Sequence, residues 1–239
     1  MTRFLQWNIR GLQANREELD MLLSLLHPSV ICLQETFLRE SKNITFKGFS
    51  SYQKPAQEIN GVLHGGSAIL VDSSIPHRQL DLQTCLQAVA VRISCQKAIT
   101  VCSIYLPPTS KWTKNDLEDL VNQLPPPIVL LGDFNAHSTE WGCSKNDSKG
   151  KMISDLMLQR NLSLLNDDFL LVINTNLPAI LHRFRDIAVD KSEIAILYYP
   201  SCVQLPPAEG FPWDDLREIF SGCQWMARVP NAVEILPKS

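Results

Sequence analysis

Ile128-Val129-Leu130-Leu131-Gly132-Asp133-Phe134-Asn135 is a four-residue apolar run that breaks abruptly into Gly-Asp-Phe-Asn. Pro125-Pro126-Pro127 stands immediately before it, so the run is too short for a helix and reads as a buried strand that delivers an acid at its end. The same event occurs three more times. Phe4-Leu5-Gln6-Trp7-Asn8-Ile9 is a strand carrying Asn8, Val30-Ile31-Cys32-Leu33 runs straight into Gln34-Glu35-Thr36, and Ile99 to Tyr105 stops at Leu106-Pro107-Pro108. Four apolar strands that each end on a residue suited to metal or phosphate chemistry describe an α/β sheet system whose strand ends meet at one rim, where ligands bind.

The segments between these strands supply helices. Asn15 with Glu18 has the form of a capping box, opening a helix whose Leu19, Leu22, Leu23 and Leu26 share one face and which ends before Pro28. A second helix begins near Thr113, with Asp116 three residues on, and stops before the proline triplet. A third runs from about Gly150 to Leu162 with Ile153, Leu156 and Met157 inward, and Ser163 to Asn166 forms a short strand. Ala68 to Val71 and Ala88 to Ile93 add strands after the polar stretch punctuated by Gly61, Gly65 and Gly66. Strands with interspersed helices give an α/β fold, and 239 residues at 45% hydrophobic content suffice for one sizeable core.

Composition removes several function classes. The chain has no 18-residue apolar run, and its first residues turn polar too soon for a secretory signal, so the expectation is an intracellular protein without a membrane partner. Seven cysteines without a Cys-x-x-Cys pair fit neither a disulfide framework nor a zinc site, and Cys32, Cys95 and Cys102 read as buried thiols. The net charge of −3 resides in the tail: 16 basic and 16 acidic residues lie at or before Asp167, against 6 and 9 after it. Any contact with nucleic acid therefore rests on a local patch rather than on overall charge.

Phosphodiester hydrolysis requires a hard cation, oxygen ligands, an oriented water and donors for the charge that develops on phosphorus. Glu35 is suited to hold Mg²⁺, with Asn8 as a neutral oxygen beside it. Asp133 is suited to orient or deprotonate water, while Asn135 and the Tyr105 hydroxyl are suited to bond phosphate oxygens. Taken singly, Asn8 also reads as a turn residue, Asp133 as an Asx turn and Tyr105 as packing. Their occurrence together, in this order, favours chemistry.

Gln6-Trp7-Asn8-Ile9-Arg10-Gly11, Leu33-Gln34-Glu35-Thr36, Tyr105-Leu106-Pro107-Pro108 and Gly132-Asp133-Phe134-Asn135-Ala136-His137 resemble the first four motifs of the endonuclease/exonuclease/phosphatase superfamily. With Trp141-Gly142 and the Gly65-Gly66 run, they are similar more narrowly to endonuclease domains of non-LTR, jockey-like retrotransposons. The resemblance implies a deoxyribonuclease-like four-layer sandwich, two packed β-sheets flanked by helices. It also implies a Mg²⁺-dependent DNA nick, with Mn²⁺ as the alternative ion, that primes a linked reverse transcriptase in the nucleus. Carried over by residue, Glu35 is the metal ligand with Asn8 its neighbour, Asp133 aligns water, and Asn135 and Tyr105 act on phosphate. Arg10 is either a contact to DNA backbone or an ordinary surface arginine, and His137 receives no role.

The superfamily pattern closes with a strand leading to an Ile-Asp pair and a final Ser-Asp-His, and neither follows Asn166-Asp167. No Asp-His pair exists in the chain, and His182 is the sole histidine after His137. The expectation is thus a partial domain over residues 1–167, incomplete at its C-terminal edge, and a divergent tail over 168–239. A strand at Phe169 to Ile173 and a helix at Phe211 to Phe220 are expected there, with Asp214 and Asp215 as first-turn helix acids. The tail is either an element remnant, the preferred reading, or a replacement edge. No reverse-transcriptase region is recognised. Two further readings compete with a nuclease: a non-catalytic binder of nucleic acid or protein, and a phosphatase acting on phosphorylated lipids or sugars.

Overall fold

The computed structural model of the protein describes residues 2–95, 97–141 and 143–164, with the backbone alone of 179–183 and 194–198. In chain order, the first half comprises β1 (Arg3–Asn8), α1 (Arg16–Leu26), β2 (Val30–Gln34), β3 (Phe49–Lys54), β4 (Gln57–Ile59), β5 (Val62–His64), β6 (Ser67–Asp72) and β7 (His77–Leu80). Then come β8 (Gln87–Ser94), β9 (Ala98–Tyr105), α2 (Lys114–Asn122), β10 (Ile128–Asp133), α3 (Ser148–Arg160), β11 (Leu162–Leu164), β12 (Ala179–Arg183) and β13 (Ile194–Tyr198).

Two sheets form. One has the order β12-β1-β2-β6-β3, the other β11-β13-β10-β9-β8-β7, and β4 with β5 makes a separate two-stranded ribbon. Parallel pairing of β1 with β2 and of β9 with β10 brings the Asn8, Gln34, Tyr105 and Asp133 ends to the same side. Backbone beyond residue 167 enters both sheets, β12 beside β1 and β13 between β10 and β11. The segments of the tail expected as strand and helix, and the pair Asp214 and Asp215, lie outside the described residues.

Strand alternation determines the layers, because successive side chains point to opposite faces. Phe4, Val30, Cys32, Ile69 and Val71 of the first sheet meet Val89, Val91, Val101, Val129 and Leu131 of the second, forming an apolar layer between the sheets. On the outer face of the first sheet, Leu5, Trp7, Ile31 and Leu33 pack against Leu19, Leu22, Leu23 and Leu26 of α1. On the outer face of the second, Cys102, Ile104 and Leu130 pack against Leu117, Leu120 and Val121 of α2 and Ile153 and Leu156 of α3. The result is the four-layer helix, sheet, sheet, helix sandwich. Both faces of the central strands are covered, which explains their near-continuous apolar sequences.

Several local features differ from the sequence reading. Asn15 precedes α1, but its side chain caps nothing; its amide donates backwards to the carbonyls of Ile9 (2.7 Å) and Gly11 (3.2 Å). The capping box forms at α2 instead, between Thr113 and Asp116. Cys95 is exposed because it falls in the turn after β8, whereas Cys32 and Cys102 are buried. Met157 is only partly buried, since the inward face of α3 runs through Gly150, Ile153, Ser154 and Leu156. Strands β3, β4, β5 and β7 are additions to the expected set: their residues are half-buried or exposed, so they lack the apolar runs by which the others announce themselves.

Candidate active site

The inward-facing positions change character along each strand. On β1 they run Phe4, Gln6, Asn8; on β2, Val30, Cys32, Gln34; on β9, Val101, Ser103, Tyr105; on β10, Val129, Leu131, Asp133. The interior between the sheets is apolar at one end and polar at the other. All four polar ends are nearly inaccessible: Asn8 is 9% exposed, Gln34 0%, Tyr105 6% and Asp133 4%.

A hydrogen-bonded string crosses between the sheets just below this mouth. Gln6 Nε2 donates to Gln34 Oε1 (2.6 Å), Gln34 Nε2 donates to Ser103 Oγ (2.9 Å), and Ser103 Oγ donates to the Leu33 carbonyl (3.3 Å). A second tie lies beside it, where Gly66 N donates to Gln87 Oε1 (2.5 Å) and Ser67 Oγ donates to the Gln87 carbonyl (2.8 Å). Burying amides is tolerable only when their polar atoms are paired, and here the pairing also holds the two sheets in fixed relation. Gln6, Gln34, Ser103 and Gln87 are positioning residues that motif reading missed. The signal was present in the parity, since Gln6 and Gln34 occupy inward positions in otherwise apolar strands.

Above that string, Asn8 Nδ2 donates to Glu35 Oε1 (2.9 Å) and to Asp133 Oδ2 (2.8 Å), so one amide joins a carboxylate from each sheet. Glu35 lies just past the end of β2 with φ +52°, part-exposed, and close enough to the Tyr105 hydroxyl for its charge to act on it. Burial, then the charge of Glu35, holds the Tyr105 hydroxyl well above its usual range, so it remains a donor. Burial pushes the Asp133 carboxyl up to about 6, against the lowering effect of its bonds from Asn8 and from the Asn135 backbone.

The remaining expected residues divide. Asp133 Oδ1 accepts from Asn135 N (3.1 Å), which forms the Asx turn that the sequence also allowed and leaves Oδ2 to Asn8. Asn135 has φ +45° and donates its side-chain amide to the Leu106 carbonyl (3.1 Å), tying the β10 end to the Tyr105 loop. Arg10 is exposed, with φ +44°, near enough for its charge to lower both Asp133 and Tyr105. His137 turns to α3: its Nδ1 lies 2.9 Å from Asp147 Oδ2, and Asp147 Oδ1 in turn accepts from Gly150 N (2.6 Å) as the helix cap. His182 is in register with Phe4, so its backbone stands four residues along β1 from Asn8, about 13 Å from the rim.

The donor set suits a hard divalent cation. Glu35 offers a part-exposed carboxylate, and Asn8 Oδ1 is a buried oxygen with no hydrogen-bond partner among the described residues. Mg²⁺ needs only one or two protein carboxylates because it retains several waters. No group of three His, Cys, Asp or Glu side chains gathers among the described residues, so a zinc-type cage is not formed there.

A family model described as endonuclease-reverse transcriptase matches residues 99–181, from β9 into β12. The chain is similar to the RNA-directed DNA polymerases from mobile element jockey of Drosophila melanogaster (29% identity over 162 residues) and Drosophila funebris (30% over 163). Each alignment covers 66% of this chain and 18% of the relative, so the chain spans under one fifth of the length of these curated relatives. Among solved structures, the endonuclease domain of TRAS1, a telomere-specific non-LTR retrotransposon, aligns with a TM-score of 0.54 at 24% identity, covering 66% of this chain and 70% of that one. The Neisseria 3′ phosphatase NExo bound to product DNA hairpin aligns with a TM-score of 0.51 at 18% identity, with the same coverage. These two likenesses concern the fold alone. Motifs, family match and architecture agree: the chain carries an endonuclease/exonuclease/phosphatase-type domain of the non-LTR retrotransposon kind.

Proposed function

We propose that the chain is a divalent-metal-dependent endonuclease that nicks DNA. The observation that carries this reading is the Asn8 amide held between Glu35 and Asp133 at the polar mouth of two packed sheets. Glu35 would hold Mg²⁺, or Mn²⁺ in its place, and the Asn8 side-chain oxygen would be available to it. A bound divalent ion supplies Lewis-acid stabilisation of charge on the phosphoryl oxygens. Asp133 orients the attacking water and accepts its proton, and the Tyr105 hydroxyl donates to a phosphate oxygen. Asn135, tied to the Leu106 carbonyl through its amide nitrogen, fixes the loop and has a second amide N–H with which to donate to a phosphate oxygen. Arg10 contacts the DNA backbone. The jockey relatives are RNA-directed DNA polymerases, and the nick supplies the 3′ hydroxyl from which such a linked activity extends, in the nucleus.

Conversion of supercoiled plasmid to nicked circle with Mg²⁺ tests the reading. The unmutated chain is expected to nick and Glu35→Ala to fall to the level seen in chelator. If the two are equally fast, Glu35 holds no essential ion.

Asp133 also sets a pH dependence. Its folded value of about 6 lies above the ordinary 3.8, so it becomes a carboxylate only above pH 6. Nicking should level off above that point and fall about tenfold per unit below it. Asn8→Ala removes a bond that lowers the Asp133 value, and should move the falling limb to higher pH. A pH–rate profile that is flat from 5 to 8 would exclude Asp133 as the proton acceptor. Because the shift is upward, Asp133 stabilises the fold fully below about pH 3.8, and that contribution is lost as pH rises through about 6.

A further inference from the structure

We infer that Lys149 is a positioning residue that clamps the loop leaving Tyr105 and so fixes the Tyr105 hydroxyl beside Glu35 and Asp133; this rests on the nicking reading above. From the first turn of α3, Lys149 Nζ donates to the carbonyls of Pro107 (3.2 Å) and Pro108 (2.7 Å) and stands 5.6 Å from the centre of the Trp112 ring.

The loop needs a donor from elsewhere. Pro107 and Pro108 have no backbone N–H, so the segment after Tyr105 can be held there only through its carbonyls. Leu106 N donates to the Asp133 carbonyl (2.9 Å), and the β9–β10 register ends at this point, with Tyr105 opposite Asp133. Further on, Ser110 closes the loop on itself through the Pro107 carbonyl, with its N–H (3.1 Å) and its hydroxyl (2.8 Å). The donor that reaches the proline carbonyls from another element is Lys149. A strand end frays when the loop beyond it is unfastened, and Tyr105 is that strand end.

Nothing in α3 itself asks for a lysine at this position. Asp147 is the cap, so Lys149 stands in the first turn, where the helix dipole disfavours a cation. Burial draws its ammonium below the ordinary range, with the charge of Asp147 acting the other way. Two of its three hydrogens go to carbonyls and the ammonium faces an aromatic ring, which leaves little for a phosphate. The same turn grips the other loop of the site. Asp147 N donates to the His137 carbonyl (2.9 Å), and a Cβ on Gly150 would collide with that oxygen. One turn of α3 therefore fastens both the chain after Tyr105 and the chain after Asp133, and their spacing is set there.

The test uses the whole 239-residue chain with Lys149→Met, which keeps the apolar stem on Trp112 and removes the donors. Lys151→Met, at an exposed position of the same helix, is the control. At saturating duplex, Lys149→Met should slow single-turnover nicking about 10- to 100-fold, the scale of a small misplacement, while duplex affinity by fluorescence anisotropy stays within about twofold. In a Tyr105→Phe background the same substitution should cost less than about twofold, because the hydroxyl it positions is already gone. Hydrogen exchange at the Leu106 and Ser110 amides should quicken in Lys149→Met and not in Lys151→Met. An unchanged nicking rate, full cost in the Tyr105→Phe background, a loss of affinity in place of rate, or unchanged exchange overturns the clamp and leaves the nicking reading intact. An unmutated chain that does not nick overturns the nicking reading, and the exchange rates alone then decide for or against the clamp.

Discussion

Asp133→Ala is expected to slow nicking about 10²- to 10⁴-fold, the usual contribution of a positioned acid–base group. The carboxylate is 4% exposed, meets Asn8 from the opposite sheet and is held toward its proton-accepting range by burial. Its removal should leave stability nearly unchanged, because two effects oppose. Asn8 Nδ2 keeps its bond to Glu35 but loses one partner, and Asn135 N loses its Asx-turn acceptor, at about 1–3 kcal/mol per buried orphan. Relief from a desolvated charge offsets much of this. Single-turnover nicking at pH 8, alongside thermal unfolding of the same samples, checks both parts. A folded variant that cuts within tenfold of the unmutated chain would assign the water to another residue.

Gly132→Ala, one position earlier, should act through the fold. A Cβ at Gly132 would fall within the van der Waals shell of the Ile104 carbonyl oxygen. That oxygen belongs to the β9 backbone, in register with Gly132 across a parallel ladder, so no side-chain rotation relieves the overlap. Forcing it apart displaces the strands that carry Tyr105 and Asp133. A loss of about 2–4 kcal/mol follows, at the high end for overpacking because the obstacle is main chain. Urea unfolding measures it, and a loss below about 1 kcal/mol would mean that β9 and β10 separate more readily than their pairing suggests.

The contrast between these neighbours shows what sequence could and could not convey. The apolar runs of β1, β2, β9 and β10 were legible because strands covered on both faces need unbroken hydrophobic sequence, and their ends revealed Asn8, Glu35, Tyr105 and Asp133. The ribbon was not legible. Gln57 to His64 is mostly exposed, and exposure leaves no periodic imprint on residue choice. Asn15 followed by Glu18 had the form of a capping box, yet Asn15 bonds the turn behind it, because a tertiary demand at Ile9 and Gly11 competes for the same amide. In sequence the glycine at 132 is the residue at which the apolar run breaks off. In the fold it lies within a strand, where close contact with a neighbouring backbone is the reason for it.

The Asn8 bridge joins residues 125 apart in the chain and on different sheets. Neither half of the sandwich owns the site, since each brings one carboxylate and the amide must find both. Contacts of such long sequence separation form late, after the loop-closure entropy of the intervening chain has been overcome. A nascent or partly folded chain therefore carries every residue of the site while lacking the site itself. For a protein whose proposed chemistry breaks DNA, topology provides a built-in delay: cutting capacity would arrive only with the docking of the two sheets.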